Sequence, residues 1–266
     1  MDRDDAGRLP EILMKPSMHA MASGLGLAYA RVLAQNGAHV VMTDLDADGL
    51  EAAAAELRSG GGSVETRVVD VAETATLRAA IEATAQKHGR LDVAFANAGI
   101  SAGPGPSTEA GNIVNVDLAF FERVVDINLN SVFATMQAAA IPMKRQRGGR
   151  IIVTSSIGGI KSERMVGYAY AATKSAVNNL VRHAAAELGQ YNILVNAIAP
   201  GPFRTNIANG RMKNDPSVEK MFAEDCPLGR VAEPEEIEGL ALFLSSPASS
   251  YVTGTVMVID GGATAW

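Results

Sequence analysis

Arg150-Ile151-Ile152-Val153-Thr154-Ser155-Ser156 and, fourteen residues beyond Ser156, Tyr170-Ala171-Ala172-Thr173-Lys174 are the stretches on which the reading of this chain turns. The first is a short apolar, β-branched run closed by small hydroxyl residues, the pattern of a buried strand entering a turn. The second puts a phenol and an ammonium at i and i+4, one helical turn apart, where a cation stabilises a phenolate. A YxxxK spacing on its own marks a solvated surface pair in most helices. Beside the Ser155-Ser156 turn it becomes a place where hydroxyl, phenol and amine can meet.

Outward from this pair the chain alternates. Short β-branched runs at His39 to Thr43, Val64 to Val69, Asp92 to Ala96, Arg150 to Thr154, Ile193 to Ile198 and Val256 to Ile259 are separated by amphipathic helical stretches, the first from Leu25 to Gln35. Strands joined through helices of this length run parallel, so the pattern predicts an α/β protein with a doubly wound parallel sheet and helices on both faces. Gly60-Gly61-Gly62 reads as a loop, too short for a linker.

Composition narrows the function. The chain has 266 residues, 47% of them hydrophobic, enough for one substantial core, and no linker divides it. A net charge of -6 offers no electrostatic footprint for nucleic acid, and the cluster Lys144-Arg145-Arg147-Arg150 is short enough to serve as a helix C-terminal cap. The single cysteine, Cys226, has no internal disulfide partner and reads as structural. His19, His39, His88 and His183 show no metal-ligand spacing, so no metal is expected. The acidic opening Met1-Asp2-Arg3-Asp4-Asp5 lacks a signal pattern and no uncharged apolar run reaches membrane-spanning length. The expectation is a cytoplasmic protein without a membrane partner.

Nine pieces occur in a telling order: ASGLG at Ala22 to Gly26, Asp44, Asp70-Val71, ANAG at Ala96 to Gly99, Asn128, Ser156, Tyr170 with Lys174, PGPFRT at Pro200 to Thr205, and DGG at Asp260 to Gly262. With these the chain resembles the short-chain dehydrogenase/reductase family over about residues 20 to 264. The resemblance implies a single Rossmann-type domain of about seven strands, spanning 19–266, after an atypical N-terminal segment 1–18. It also implies an oxidoreductase that interconverts a secondary alcohol and a ketone by hydride transfer at the B face of a nicotinamide. A homotetramer would pack the helices of Asp117 to Met143 and Tyr168 to Leu188, whose runs Ala138-Ala139-Ala140 and Ala184-Ala185-Ala186 permit close approach. Packing of those alanines within one subunit is the alternative.

The cofactor is expected to be NAD(H) rather than NADP(H). Ser23, Gly24, Leu25 and Gly26 open a helix whose N-terminus can hold a pyrophosphate, the glycines letting the backbone approach. Asp44, at the end of a strand eighteen residues beyond Gly26, can accept hydrogen bonds from ribose hydroxyls and repels a 2′-phosphate, and no Arg or Lys follows it. Otherwise Asp44 would cap the next helix. The resemblance assigns Asp70 and Val71 to the adenine edge, Asn97, Ala98 and Gly99 to the adenine ribose, and Pro200, Gly201, Phe203 and Thr205 to the nicotinamide side. It makes Tyr170 the acid/base, assisted by Lys174, which lowers the phenol pKa and holds the nicotinamide ribose. Ser156 would donate to the substrate oxygen, and Asn128 would sustain a proton relay to Lys174.

Two departures are local. The Ser156 to Tyr170 interval is one residue longer than the common spacing, the extra residue fitting the loop Lys161 to Gly167, and this keeps Ser155 as an alternative. Tyr168 is a second phenol but has no lysine four residues on. A larger departure lies in Lys15-Pro16-Ser17-Met18-His19-Ala20, where the family has an apolar strand and a Thr-Gly turn. Proline, lysine and serine suit a central strand poorly, and alanine adds a methyl at a glycine turn. The first strand is therefore expected to be atypical, with Ile12-Leu13-Met14 a candidate for a shifted one. Loss of nucleotide binding would leave a non-catalytic binding or assembly module.

Overall fold

A computed structural model describes Ser17–Met18 and residues 22–265. Seven strands form one parallel sheet in the order β3-β2-β1-β4-β5-β6-β7. They are β1 (Ser17–Met18), β2 (His39–Asp44), β3 (Ser63–Val68), β4 (Val93–Ala96), β5 (Gly149–Thr154), β6 (Ile193–Pro200) and β7 (Val256–Ile259). The helices that connect them are α1 (Gly24–Gln35), α2 (Ala47–Ser59), α3 (Thr74–His88), α4 (Leu118–Val125), α5 (Ser131–Gln146) and α6 (Tyr168–Leu188). Three more, α7 (Ile207–Asn214), α8 (Pro216–Glu224) and α9 (Glu238–Ser245), lie between β6 and β7.

The apolar runs are continuous because both faces of the sheet are covered. Along β4, Val93 and Phe95 join a core built with α1, α2 and α9, while Ala94 and Ala96 join one built with α3, α5 and α6. In β5, Ile152 enters the first core, and Ile151 and Val153 the second. This two-residue alternation follows from Cβ atoms pointing to opposite sides of a pleated strand. Tyr29 of α1 stacks obliquely on Phe95, with ring centroids 4.8 Å apart.

The weak first strand sits at the centre of the sheet. Ser17 is in register with Val41 of β2 and Ala94 of β4, and Met18 with Phe95. The described strand thus occupies the family register at two residues, and the candidate at Ile12-Leu13-Met14 lies outside the described residues, as do His19 and Ala20. Strand order reverses on either side of β1, which puts the usual binding crevice of such sheets between β1 and β4 at the carboxyl ends of the strands.

α4 and α5 are joined by a π-helical turn, Asp126–Asn130, into one 29-residue helix. By length and composition that helix could cross a membrane, but 56% of its most apolar window is buried inside the molecule. At the opposite rim, residues distant in sequence converge: Glu65 lies 3.1 Å from His39, 3.3 Å from His88 and 2.9 Å from Lys87. Two histidines that the sequence left scattered therefore share one carboxylate.

Candidate active site

Lys174 is the most constrained group in the crevice. It lies on the buried face of α6, 2% exposed, and its Nζ donates to the carbonyl of Thr154 at 2.7 Å. Burial, without a facing carboxylate, lowers the ammonium pKa to about 8. Nζ sits 5.5 Å from the centre of the Tyr170 ring, one turn earlier on α6.

The phenol behaves differently from the sequence expectation. Its pKa is raised, first by burial and also by the negative charge of Glu163, whereas the Ser156 hydroxyl acts in the opposite direction by favouring the phenolate. Lys174 is not among the groups that shift it, and its Nζ donates to the Thr154 carbonyl. Tyr168 is 38% exposed and lines a cavity of about 220 Å³ together with Phe120 and Ala102.

The two serines part company after β5. Ser155 is 2% exposed and donates to Asn178 Oδ1 at 2.6 Å and to the Lys174 carbonyl at 3.3 Å, tying the strand end to the back of α6. Ser156 accepts from Gly158 N at 3.1 Å, which caps the short turn Ile157–Gly159 and leaves its hydroxyl on the Tyr170 side. Of the two, Ser156 is therefore the one beside the phenol.

Asn128 sits where α4 runs into α5. It is fully buried within the π turn, and its amide clamps Ile100 from both sides, accepting from Ile100 N at 2.8 Å and donating to Ile100 O at 2.9 Å. This pins the segment Asn97-Ala98-Gly99 after β4. A Cβ on Gly99 would stand 3.4 Å from Asn128 Oδ1 and 3.6 Å from Lys174 Nζ, filling the space that these polar groups line.

On the other side of the crevice, Gly24 has φ +57° at the opening of α1, a conformation that favours glycine. A Cβ there would lie 3.3 Å from Thr205 Cβ, so the glycine turn and the Pro200 to Thr205 segment meet. Gly201 is more tightly confined, since a Cβ would come within 2.6 Å of Asp260 Cβ. Phe203 is buried and its backbone bridges to Ala232. Asp44 ends β2, accepting from Ala22 N at 3.0 Å and Asp46 N at 3.2 Å. The cap of α2 is Asp46, which accepts from Gly49 N, so the helix-capping alternative for Asp44 does not apply. Asp70 follows β3 and holds its own turn through Ala72 N at 2.9 Å, with Val71 packed against the core. Leu25 and Ser23 lie at the start of α1, and Ser23 makes no side-chain cap to the helix.

The glycine turn, the uncapped start of α1 and the Gly99 cradle fit an elongated ligand with a phosphate near α1 and a ring near Lys174. Sequence reasoning missed two contributors. Thr154 holds Lys174 through its carbonyl and Asn97 Oδ1 through its hydroxyl at 2.8 Å, and nothing but its place before Ser155 pointed to it. Glu163, whose charge reaches Tyr170, sits in the loop where the extra residue was expected; a carboxylate in that insertion was the available signal.

The chain belongs to the short-chain dehydrogenase/reductase family. A family model described as enoyl-(acyl carrier protein) reductase matches residues 20–264. The chain is 38% identical to cyclohexanol dehydrogenase of Rhodococcus sp. (strain TK6) over 258 residues, covering 91% of this chain and 93% of that protein. Levodione reductase of Leifsonia aquatica is 38% identical over 252 residues, with 91% of each chain covered. A crystal structure of levodione reductase superposes with a TM-score of 0.88 at 35% identity, covering 97% of this chain and all of that one. A gluconate 5-dehydrogenase from Burkholderia cenocepacia J2315, solved with NADP and tartrate, gives 0.86 at 31% identity over 95% and 96% of the two chains. These relatives are oxidoreductases of alcohols and ketones, which weighs against a non-catalytic module.

Proposed function

We propose that this chain is an NAD(H)-dependent oxidoreductase that interconverts a secondary alcohol and a ketone. The observation that carries the reading is the grouping of Tyr170, Ser156 and the buried Lys174 beside Gly99 at the carboxyl end of the sheet. When bound, the nicotinamide supplies or accepts the hydride. Tyr170 protonates the carbonyl oxygen during reduction, and its raised pKa keeps the phenol in the acid form that this direction needs. Ser156 donates to the same oxygen and fixes its position. Lys174, with a pKa of about 8, exchanges a proton near neutrality and passes it toward Tyr170, with Asn128 holding the backbone of the relay. In the oxidation direction the phenol has to ionise, which the free site opposes, so that direction depends on positive charge arriving with the oxidised cofactor.

Ser23 to Gly26, Asp70, Val71, Asn97 to Gly99 and Pro200 to Thr205 would hold the dinucleotide. Asp44 would favour NAD(H), because its carboxylate repels a 2′-phosphate. Gluconate 5-dehydrogenase holds NADP on the same fold, so the preference rests on this side chain. Steady-state oxidation of cyclohexanol with each cofactor tests the reading, with higher efficiency expected for NAD; an NADP preference of about tenfold or more overturns the cofactor assignment.

The assembly proposed is a homotetramer through α4, α5 and α6. Ala138, Ala139 and Ala185 do not serve it, since all three are buried within the subunit. Exposed Leu118, Phe120, Phe133 and Ile141 offer apolar area instead. Light scattering at micromolar concentration checks the mass.

A further inference from the structure

The loop between the Ile157–Gly159 turn and α6 carries a carboxylate that the proposed chemistry does not use. Glu163 is half-buried, and one of its oxygens and the Ser156 hydroxyl lie 3.1 and 3.5 Å from the same point, where a Cβ on Gly158 would stand. Among the described residues the carboxylate has no hydrogen-bond or ion-pair partner. Its nearest cation, Lys161, instead donates to the carbonyl of Ala263. Asp225, exposed at the end of α8, adds a second negative charge to the same region.

Two cations of the segment that follows β6 also have partners. Arg204 is paired with Glu219 and, at 3.1 Å, with Glu233. Lys213 donates to Asn206 at 2.9 Å. Beside the Ser156 hydroxyl, therefore, the Glu163 carboxylate is a hydrogen-bond acceptor without a partner among the described residues.

We propose that Glu163 forms a second subsite of the substrate cleft, which accepts a hydrogen bond from a further hydroxyl of a neutral diol or hydroxyketone and rejects a substrate carboxylate. This rests on the oxidoreductase reading above. An ionised carboxylate is acceptor-only, so its complement is a donor on the substrate. A carboxylate substrate would set two negative charges together where water is partly excluded, and selectivity then arises from repulsion as well as attraction.

The test compares kcat/KM for three ring alcohols of similar size: cyclohexanol, cyclohexane-1,4-diol and 4-hydroxycyclohexanecarboxylate. Wild-type protein is expected to prefer the diol to cyclohexanol and to use the carboxylate about tenfold less well, or worse. In Glu163→Gln the carboxylate-to-diol ratio should rise about tenfold or more, and Glu163→Ala should move it the same way. A ratio taken within one preparation is indifferent to how much of it is folded. Equal use of carboxylate and diol by wild-type protein, or an unchanged ratio in both variants, overturns the subsite while cyclohexanol oxidation continues. Failure to oxidise any of the three with either cofactor overturns the parent reading and the subsite with it.

Discussion

The two halves of the crevice are built on different principles. Around β5 and α6 the site is a set of buried side chains: Lys174 on Thr154, Ser155 on Asn178, Asn128 on Ile100. Around β1 and α1 the described residues contribute mostly backbone, a positive-φ glycine and a helix start, with the Asp44 carboxylate at the end of β2. A buried polar network tolerates little change, because each lost partner leaves a desolvated group unsatisfied. A backbone cradle can absorb substitutions one at a time. In sequence, the reaction half keeps the Ser156, Tyr170 and Lys174 that the family resemblance names, whereas the first turn departs at His19 and Ala20.

The sharpest way to break the comparison is Tyr170→Phe, which removes one hydroxyl from the side-chain half. Turnover is expected to fall by roughly a hundredfold to ten-thousandfold while cofactor affinity holds, measured by steady-state kinetics and by fluorescence titration. Retention of most activity would shift the acid/base role away from this phenol.

Lys174→Met tests the energetic side of the same half. Because the folded pKa is depressed to about 8, burial of the charged amine costs stability fully below that pH, and the cost disappears as pH rises toward the unfolded value. The methionine variant of the free protein should therefore be more stable at pH 7, by up to about 3 kcal/mol, with the gap closing between roughly pH 8 and 10.5. Urea denaturation at several pH values reads this directly. The same variant should lose both turnover and cofactor affinity.

In the backbone half the expected effects are smaller. Asp44→Asn keeps an acceptor for Ala22 N and removes the charge, so the NADP-to-NAD efficiency ratio should rise about tenfold. Ala20→Gly restores the family glycine and is expected to lower the cofactor KM by only a few-fold, roughly the scale of one backbone-strain term. A hundredfold gain would mean that the cradle is far less tolerant than the contrast implies.

Several features were legible in the chain itself. Alternating β-branched runs and helices fix a parallel doubly wound sheet, since a strand followed by a helix of this length can return only in parallel. The i, i+4 spacing of Tyr170 and Lys174 places both on one side of α6 whatever surrounds them. Gly24 marks a turn that other residues adopt at a cost. Other features depended on packing between segments far apart in sequence. Ser155 and Ser156 are adjacent and chemically identical, and only the position of Asn178 against β5 assigns one to the scaffold and the other to the phenol. The phenol pKa rises because burial, with the Glu163 charge adding to it, outweighs the Ser156 hydroxyl, and all three are features of the three-dimensional surroundings. Ala138 and Ala139 look like an interface until the fold buries them. Local periodicity is set by covalent geometry and is therefore written in the sequence; desolvation and partner choice are set by what else occupies the space, and only the tertiary structure decides that.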